Sequence, residues 1–203
     1  MNVQHLGKAL GKVVFTVGTF VAVCAMAQDA EYVSNSKCKM CHNKVSEGEQ
    51  WKKWTETKHA KAYESLLTSD NAKEYTEARG LTTAPAETPE CLRCHVTGYD
   101  AEKETFVSAL KKENGIQCNS CHGPGSEHLA FGKKMMMKKD EIDDSMDMKI
   151  LIPNVKTCLK CHNDESPTWD PEKYTLEDGT KAGFDFEQAF ATIAHFNPKK
   201  KRD

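Results

Sequence analysis

Cys38-Lys39-Met40-Cys41-His42 sets a pattern that returns at Cys91-Leu92-Arg93-Cys94-His95, Cys118-Asn119-Ser120-Cys121-His122 and Cys158-Leu159-Lys160-Cys161-His162. C-x-x-C-H is the attachment sequence for c-type haem. Two thiols three positions apart can bond the two vinyl groups along one edge of a porphyrin. The histidine that follows then sits under the ring and ligates iron. A disulfide framework also uses an even number of cysteines in an exported chain, and paired C-x-x-C units also build zinc sites. Neither explains a histidine after every second cysteine. The motifs therefore predict four covalently bound c-type haems, attached through Cys38, Cys41, Cys91, Cys94, Cys118, Cys121, Cys158 and Cys161, with His42, His95, His122 and His162 as proximal iron ligands.

The ninth cysteine, Cys24, lies in a stretch of another character. Lys8 and Lys12 make a basic start, 13–25 is an apolar run, and Ala25-Met26-Ala27 is a small-x-small cleavage site. That is the grammar of a secretory signal peptide, and the run is shorter than the roughly 20 residues a membrane span needs. Residues 1–27 are expected to be removed, which leaves 28–203 as one tetrahaem domain, exported to the periplasm and without a transmembrane span. Dropping Lys8 and Lys12 from 28 basic residues leaves 26 against 30 acidic ones, a net charge of −4. An acidic balance of this kind argues against nucleic-acid binding, which shows as a basic patch on a basic domain.

Four haems in 176 residues is one per 44. So little chain cannot build a large apolar core, and the porphyrins must supply much of it. The expected fold is mainly α, with helices and long loops wrapped around a closely packed four-haem core and little or no sheet. Redox centres packed that closely make an electron conduit.

The sixth iron ligand decides what each haem can do. Of eight histidines, His5 leaves with the signal peptide and four serve the motifs. His59, His128 and His195 remain as distal ligands for four irons. Three haems can be bis-histidine and closed to substrate. His–His ligation also lacks the potential-raising effect of methionine. The fourth iron is five-coordinate or takes another ligand. Met135, Met136, Met137, Met146 and Met148 are available, although packing or surface exposure is the ordinary fate of such residues.

The rest of the chain reads as helices and connections. Apolar spacing predicts one helix over 44–67 carrying His59, and a second over 71–79 ended by Gly80. Residues 81–89 read as a loop, and 96–112 as a short strand or turn followed by a helix. Gly123-Pro124-Gly125 breaks the chain, after which Ser126 is expected to cap a helix bearing His128. Pro153 and Asn154 precede the fourth motif, 167–183 is irregular, and 184–196 is a helix with His195 near its end. Lys133, Lys134, Lys138 and Lys139, and the tail Lys199 to Arg202, are basic runs that could steer an acidic partner but are by default solvated.

The order of elements resembles the tetrahaem cytochrome c-554 family of bacteria. The resemblance rests on the first motif followed by Trp51-Lys52-Lys53-Trp54-Thr55-Glu56-Thr57-Lys58-His59-Ala60-Lys61-Ala62, then Cys94-His95-Val96-Thr97-Gly98-Tyr99, then Cys121-His122-Gly123-Pro124-Gly125. A fourth motif trailed by Ser166, Pro167 and Trp169, and a late Phe-rich segment with His195, complete it. It implies bis-histidine ligation at the first, third and fourth motifs and a five-coordinate iron on His95. By analogy it pairs His195 with the first haem, His59 with the third and His128 with the fourth. In the related fold Thr and Phe side chains crowd the open iron, a role that Tyr174 and Thr175 would take here. Family members accept electrons from a multihaem oxidoreductase; another cytochrome or a quinone-linked protein would be the acceptor.

The expectation is therefore an electron carrier with no catalytic residues of its own. The alternative is a reductase of nitric oxide, hydroxylamine or nitrite at the open haem. A subunit of an extracellular haem filament with every haem bis-histidine would need a fourth spare histidine.

Overall fold

The computed structural model describes residues 30–138 and 146–195. The expected signal peptide, Lys139 and the basic tail lie outside the described residues.

Short helices dominate. They are α1 (Asn35–His42), α2 (Gln50–Thr55), α3 (Ala62–Thr68), α4 (Asp70–Ala78), α5 (Pro89–His95), α6 (Cys118–His122), α7 (Ser126–Met136), α8 (Val155–Cys158) and α9 (Phe186–Ile193). Two antiparallel ribbons of two residues a strand, β1 (Tyr99–Asp100) with β2 (Thr105–Phe106) and β3 (Tyr174–Thr175) with β4 (Lys181–Ala182), are the sheet among the described residues. The mainly helical fold is thus as expected. Helices this short do not hold in isolation, because nucleation outweighs the few bonds gained. What holds them is tertiary.

The apolar core is small. Tyr63 and Leu66 of α3 pack on Leu92 of α5, with Val96 and Ala86, and half-buried Cys91, Tyr99 and Phe106 close the cluster. It backs the second motif. Elsewhere polar residues do the fastening. The Asn119 side chain accepts from Val33 N–H at 3.2 Å and donates to Val33 O at 2.8 Å, pinning the N-terminal segment to α6. Buried Thr97 Oγ1 accepts the Gln117 N–H at 2.6 Å and bonds Ser120 Oγ at 2.6 Å, which ties the end of the second motif to the third.

Several sequence readings change in detail. The helix expected over 44–67 is broken into a 3-10 turn (Val45–Glu47), α2, a second 3-10 turn (His59–Lys61) and α3. The break has a physical cause. Ile116 N–H donates to the His59 carbonyl at 2.9 Å, capturing an acceptor a continuous helix would use internally, and Trp54 Nε1 donates to Ile116 O at 2.8 Å, holding the segment before the third motif in place. Gly115 permits the approach: with φ +59°, any Cβ there would lie 2.5 Å from the His59 carbonyl oxygen. In 96–112 the first ribbon replaces the expected helix. Ser126 opens α7, but its side chain makes no cap; Ser126 Oγ instead accepts from Glu31 N–H at 2.8 Å. True caps occur at Asn154, which accepts from Lys156 N–H, and Asp185, which accepts from Gln188 N–H. His195 stands two residues past the end of α9.

Candidate functional site

Each motif lies on or at the end of a short helix, where positions i, i+3 and i+4 share one face. The eight cysteines are free and half-buried. Their contacts run between motifs rather than within them. Cys38 hydrogen-bonds to Cys118, which lowers the Cys38 thiol below its usual range and raises that of Cys118. Cys94 bonds to Cys161 and is held down to about 7, while Cys161 is pushed up. Cys121 feels the charge of Cys158, and Cys161 that of Cys121. In space the motifs therefore follow the order first, third, fourth, second. Arg93, inside the second motif, reinforces the last junction through an ion pair with Glu165 at 2.6 Å; Arg79 Nη2 also donates to the Glu165 carbonyl at 3.2 Å.

The histidines meet in pairs. The rings of His42 and His128 have centroids 6.0 Å apart with planes inclined 17°. His59 and His162 lie at 5.9 Å and 75°, and His122 and His195 at 5.9 Å and 62°. One metal atom between two imidazoles, with bonds of about 2.0 Å, requires close to this centroid spacing. His95 faces no other histidine ring among the described residues.

Tautomers point the same way. Nδ1 of His95 lies 2.7 Å from Ala62 O, that of His122 2.9 Å from Leu151 O, that of His128 2.7 Å from Met148 O and that of His195 3.0 Å from Ile193 O. A carbonyl can only accept, so these rings carry their proton on Nδ1 and leave the Nε2 lone pair for a metal. Burial holds His42, His59, His122 and His162 below the ordinary imidazole range, favouring the neutral form that ligates. Asn35, one turn before Cys38, is buried, and neither polar atom of its amide has a partner among the described residues. Unpaired buried polar groups cost about 1–3 kcal/mol each and mark a position where something beyond the chain completes the packing. The residues present fit four covalently attached haems.

The ring pairs differ from those the resemblance implied. His128, not His195, stands opposite His42; His195, not His59, opposite His122; and His59, not His128, opposite His162. Sequence distance could not decide this, because each pairing needs the third dimension. Tyr174 meets Phe184 edge-on at 6.1 Å, and Phe184 stacks on His162 at 5.4 Å, so Tyr174 flanks the fourth motif's histidine. Thr175 is exposed and bonds Lys181 Nζ at 2.7 Å. Met135 is buried on α7, whereas Met136 and Met137 are exposed, and Met148 reaches His128 through its carbonyl rather than its sulfur. The carbonyls of Ala62, Met148, Leu151 and Ile193 escaped the sequence reading because a backbone acceptor has no residue-type signature. Phe184 and Gln50, whose side chain hydrogen-bonds His42, had no signal beyond proximity to the motifs.

Sequence comparison finds proteins similar to this chain. The family described as cytochrome c554 and c-prime matches residues 37–123. Cytochrome c-554 of Nitrosomonas europaea is 28% identical, over 89% of this chain and 80% of that protein. The reduced state of cytochrome c554 from the same organism aligns with 82% of this chain and 79% of that one, at 23% identity and a TM-score of 0.49.

Proposed function

We propose that this chain, which is similar over residues 37–123 to the cytochrome c554 and c-prime family and 28% identical to a cytochrome c-554, is an exported tetrahaem c-type cytochrome, a single domain over 28–203, that passes electrons between redox partner proteins in the periplasm. The observation that carries the reading is the set of three histidine pairs at 5.9–6.0 Å beside one motif histidine, His95, that is left unpaired among the described residues. Haem at these motifs supplies reversible one-electron chemistry at iron.

The chain's residues do the rest. Cys38, Cys41, Cys91, Cys94, Cys118, Cys121, Cys158 and Cys161 attach the four groups. His42 with His128, His122 with His195 and His162 with His59 would each hold one haem iron between them and leave no place for substrate there. Cysteines of successive motifs lie near one another in the order first, third, fourth, second, an order that would string the centres into a chain with the His42 and His95 sites at its ends. A multihaem oxidoreductase fits as donor, and another cytochrome or a quinone-linked protein as acceptor. Pyridine haemochrome analysis tests the count, with four haems per chain expected. Electron paramagnetic resonance of the oxidised protein tests the ligation, with three low-spin centres and one high-spin centre expected. Four low-spin centres would refute it.

A second reading has its own observation in the lone His95. An iron closed on one side only can bind nitric oxide, hydroxylamine or nitrite, and the site would then act as a reductase. Turnover of any of the three at a rate that outpaces electron exchange with partners would favour this reading over the carrier.

A further inference from the structure

Two of the backbone carbonyls that hold histidine protons come from one short segment. Met148 O accepts from His128 and Leu151 O from His122. His128 pairs with His42 and His122 with His195, so the two carbonyls, three residues apart, serve two different sites. Those sites are neighbours, since Cys38 of one touches Cys118 of the other. We propose that residues 147–151 form a shared positioning strap that sets the ligand imidazoles of the first and third haems together, with Asp147 and Lys149 as its positioning residues. This rests on the haem ligation proposed above.

The strap is built, not incidental. Lys149 lies between the two carbonyls with φ +54°, a left-handed conformation that costs a non-glycine residue about 1–2 kcal/mol. Asp147 holds it there. Asp147 Oδ1 accepts the Lys149 N–H at 2.8 Å and Oδ2 accepts from Lys149 Nζ at 2.7 Å. The ion pair is exposed and contributes little by itself; the bond to the main-chain N–H fixes the turn in the manner of an Asx turn. At the other end, Leu151 N–H donates back to the His122 carbonyl at 3.0 Å, so Leu151 and His122 exchange two hydrogen bonds. Gly123 makes room: it adopts φ +75° and ψ −174°, a region essentially confined to glycine, and a Cβ there would lie 2.9 Å from Leu151 Cδ1.

A carbonyl accepting the Nδ1 proton raises the basicity of the ligand ring and fixes its orientation. A more basic ligand favours oxidised iron. One strap acting on two adjacent sites therefore moves both potentials in the same direction and keeps them matched. The pair His59 and His162 receives no carbonyl from the strap, and His95 takes its own from Ala62.

The test is a redox titration followed by electron paramagnetic resonance on the intact tetrahaem protein. Asp147→Ala removes the anchor at an exposed position. The low-spin signals of the His42–His128 and His122–His195 sites should both move to higher potential, by about tenfold in the reduction equilibrium, or about 59 mV for one electron. The third low-spin signal should stay. Lys149→Val, which puts a β-branched residue at positive φ, should reproduce the paired shift. Lys149→Gly, which keeps the turn without strain, should not. Movement of all three low-spin signals, of only one of the two, or of none in both disruptive variants would overturn the strap. Absence of haem from the unaltered protein would instead refute the functional reading beneath it.

Discussion

His128→Ala separates the pairing seen here from the one implied by family analogy. The His128 ring stands 6.0 Å from His42 with the two planes 17° apart, while the other two pairs are inclined 62° and 75°. Near-parallel imidazoles split the iron orbitals strongly and give a rhombic low-spin spectrum. Near-perpendicular ones leave the orbitals almost degenerate and give a very anisotropic low-spin spectrum. The unaltered protein should show one rhombic and two strongly anisotropic low-spin centres, with one high-spin centre from the His95 site. His128→Ala should convert the rhombic centre and only that one, doubling the high-spin intensity. The variant also leaves the Met148 carbonyl without its donor, a loss of about 1–3 kcal/mol that thermal melting would register as a lower Tm. Loss of an anisotropic signal while the rhombic one persists would refute the pairing, because His128 would then face the third or the fourth motif instead of the first. Retention of three low-spin centres would refute any ligand role for it.

Other predictions follow from single contacts. Gly123→Ala should cost about 1–3 kcal/mol in thermal or denaturant unfolding, since it combines a glycine-only backbone with a 2.9 Å approach to Leu151; an unchanged midpoint would mean the turn relaxes freely. Asn119→Ala strips partners from both the N–H and the C=O of Val33, and should lower stability by about 1–3 kcal/mol for each group left buried and unpaired, more than Arg93→Ala, whose ion pair with Glu165 is exposed enough that about 1 kcal/mol is the ceiling. Acid should destabilise the fold. Burial holds His42, His59, His122 and His162 below their unfolded value, so the unfolded chain binds protons first, and stability present at neutral pH is lost as pH falls through about 6.5 and below. Tm measured at pH 8 and at pH 5 checks the sign, and a higher Tm at pH 5 would contradict it.

Much of the molecule was legible along the chain. The helical class followed from composition and spacing, and the expected attachment points came from C-x-x-C-H chemistry, because both are local. The count of spare histidines led to the expectation of three bis-histidine sites and a fourth that is five-coordinate or takes another ligand; three histidine ring pairs and an unpaired His95 among the described residues have the same arithmetic. The continuous helix expected over 44–67 was not legible. Its interruption depends on Ile116, whose N–H donates to the His59 carbonyl and whose own carbonyl accepts from Trp54 Nε1, beside a Gly115 that permits the approach, a contact between segments nearly sixty residues apart. The role of Ser126 was misread for a similar reason: its hydroxyl is taken by Glu31 from the N-terminal segment before it can cap α7.

The repeated motif determined, from sequence alone, how many haems the chain can hold and which residues would attach them. Those bonds would be made by side chains one helical turn apart, and local backbone geometry suffices to present them. Which distal histidine meets which motif was decided only by tertiary structure. His59, His128 and His195 are chemically identical donors, so nothing in their residue type prefers one iron to another. The choice comes from packing: α7 sets His128 against His42, the end of α9 sets His195 against His122, and the 3-10 turn at His59 is held toward His162. The carbonyls that orient those rings were equally out of reach, because every residue carries one and only the fold selects those of Met148 and Leu151.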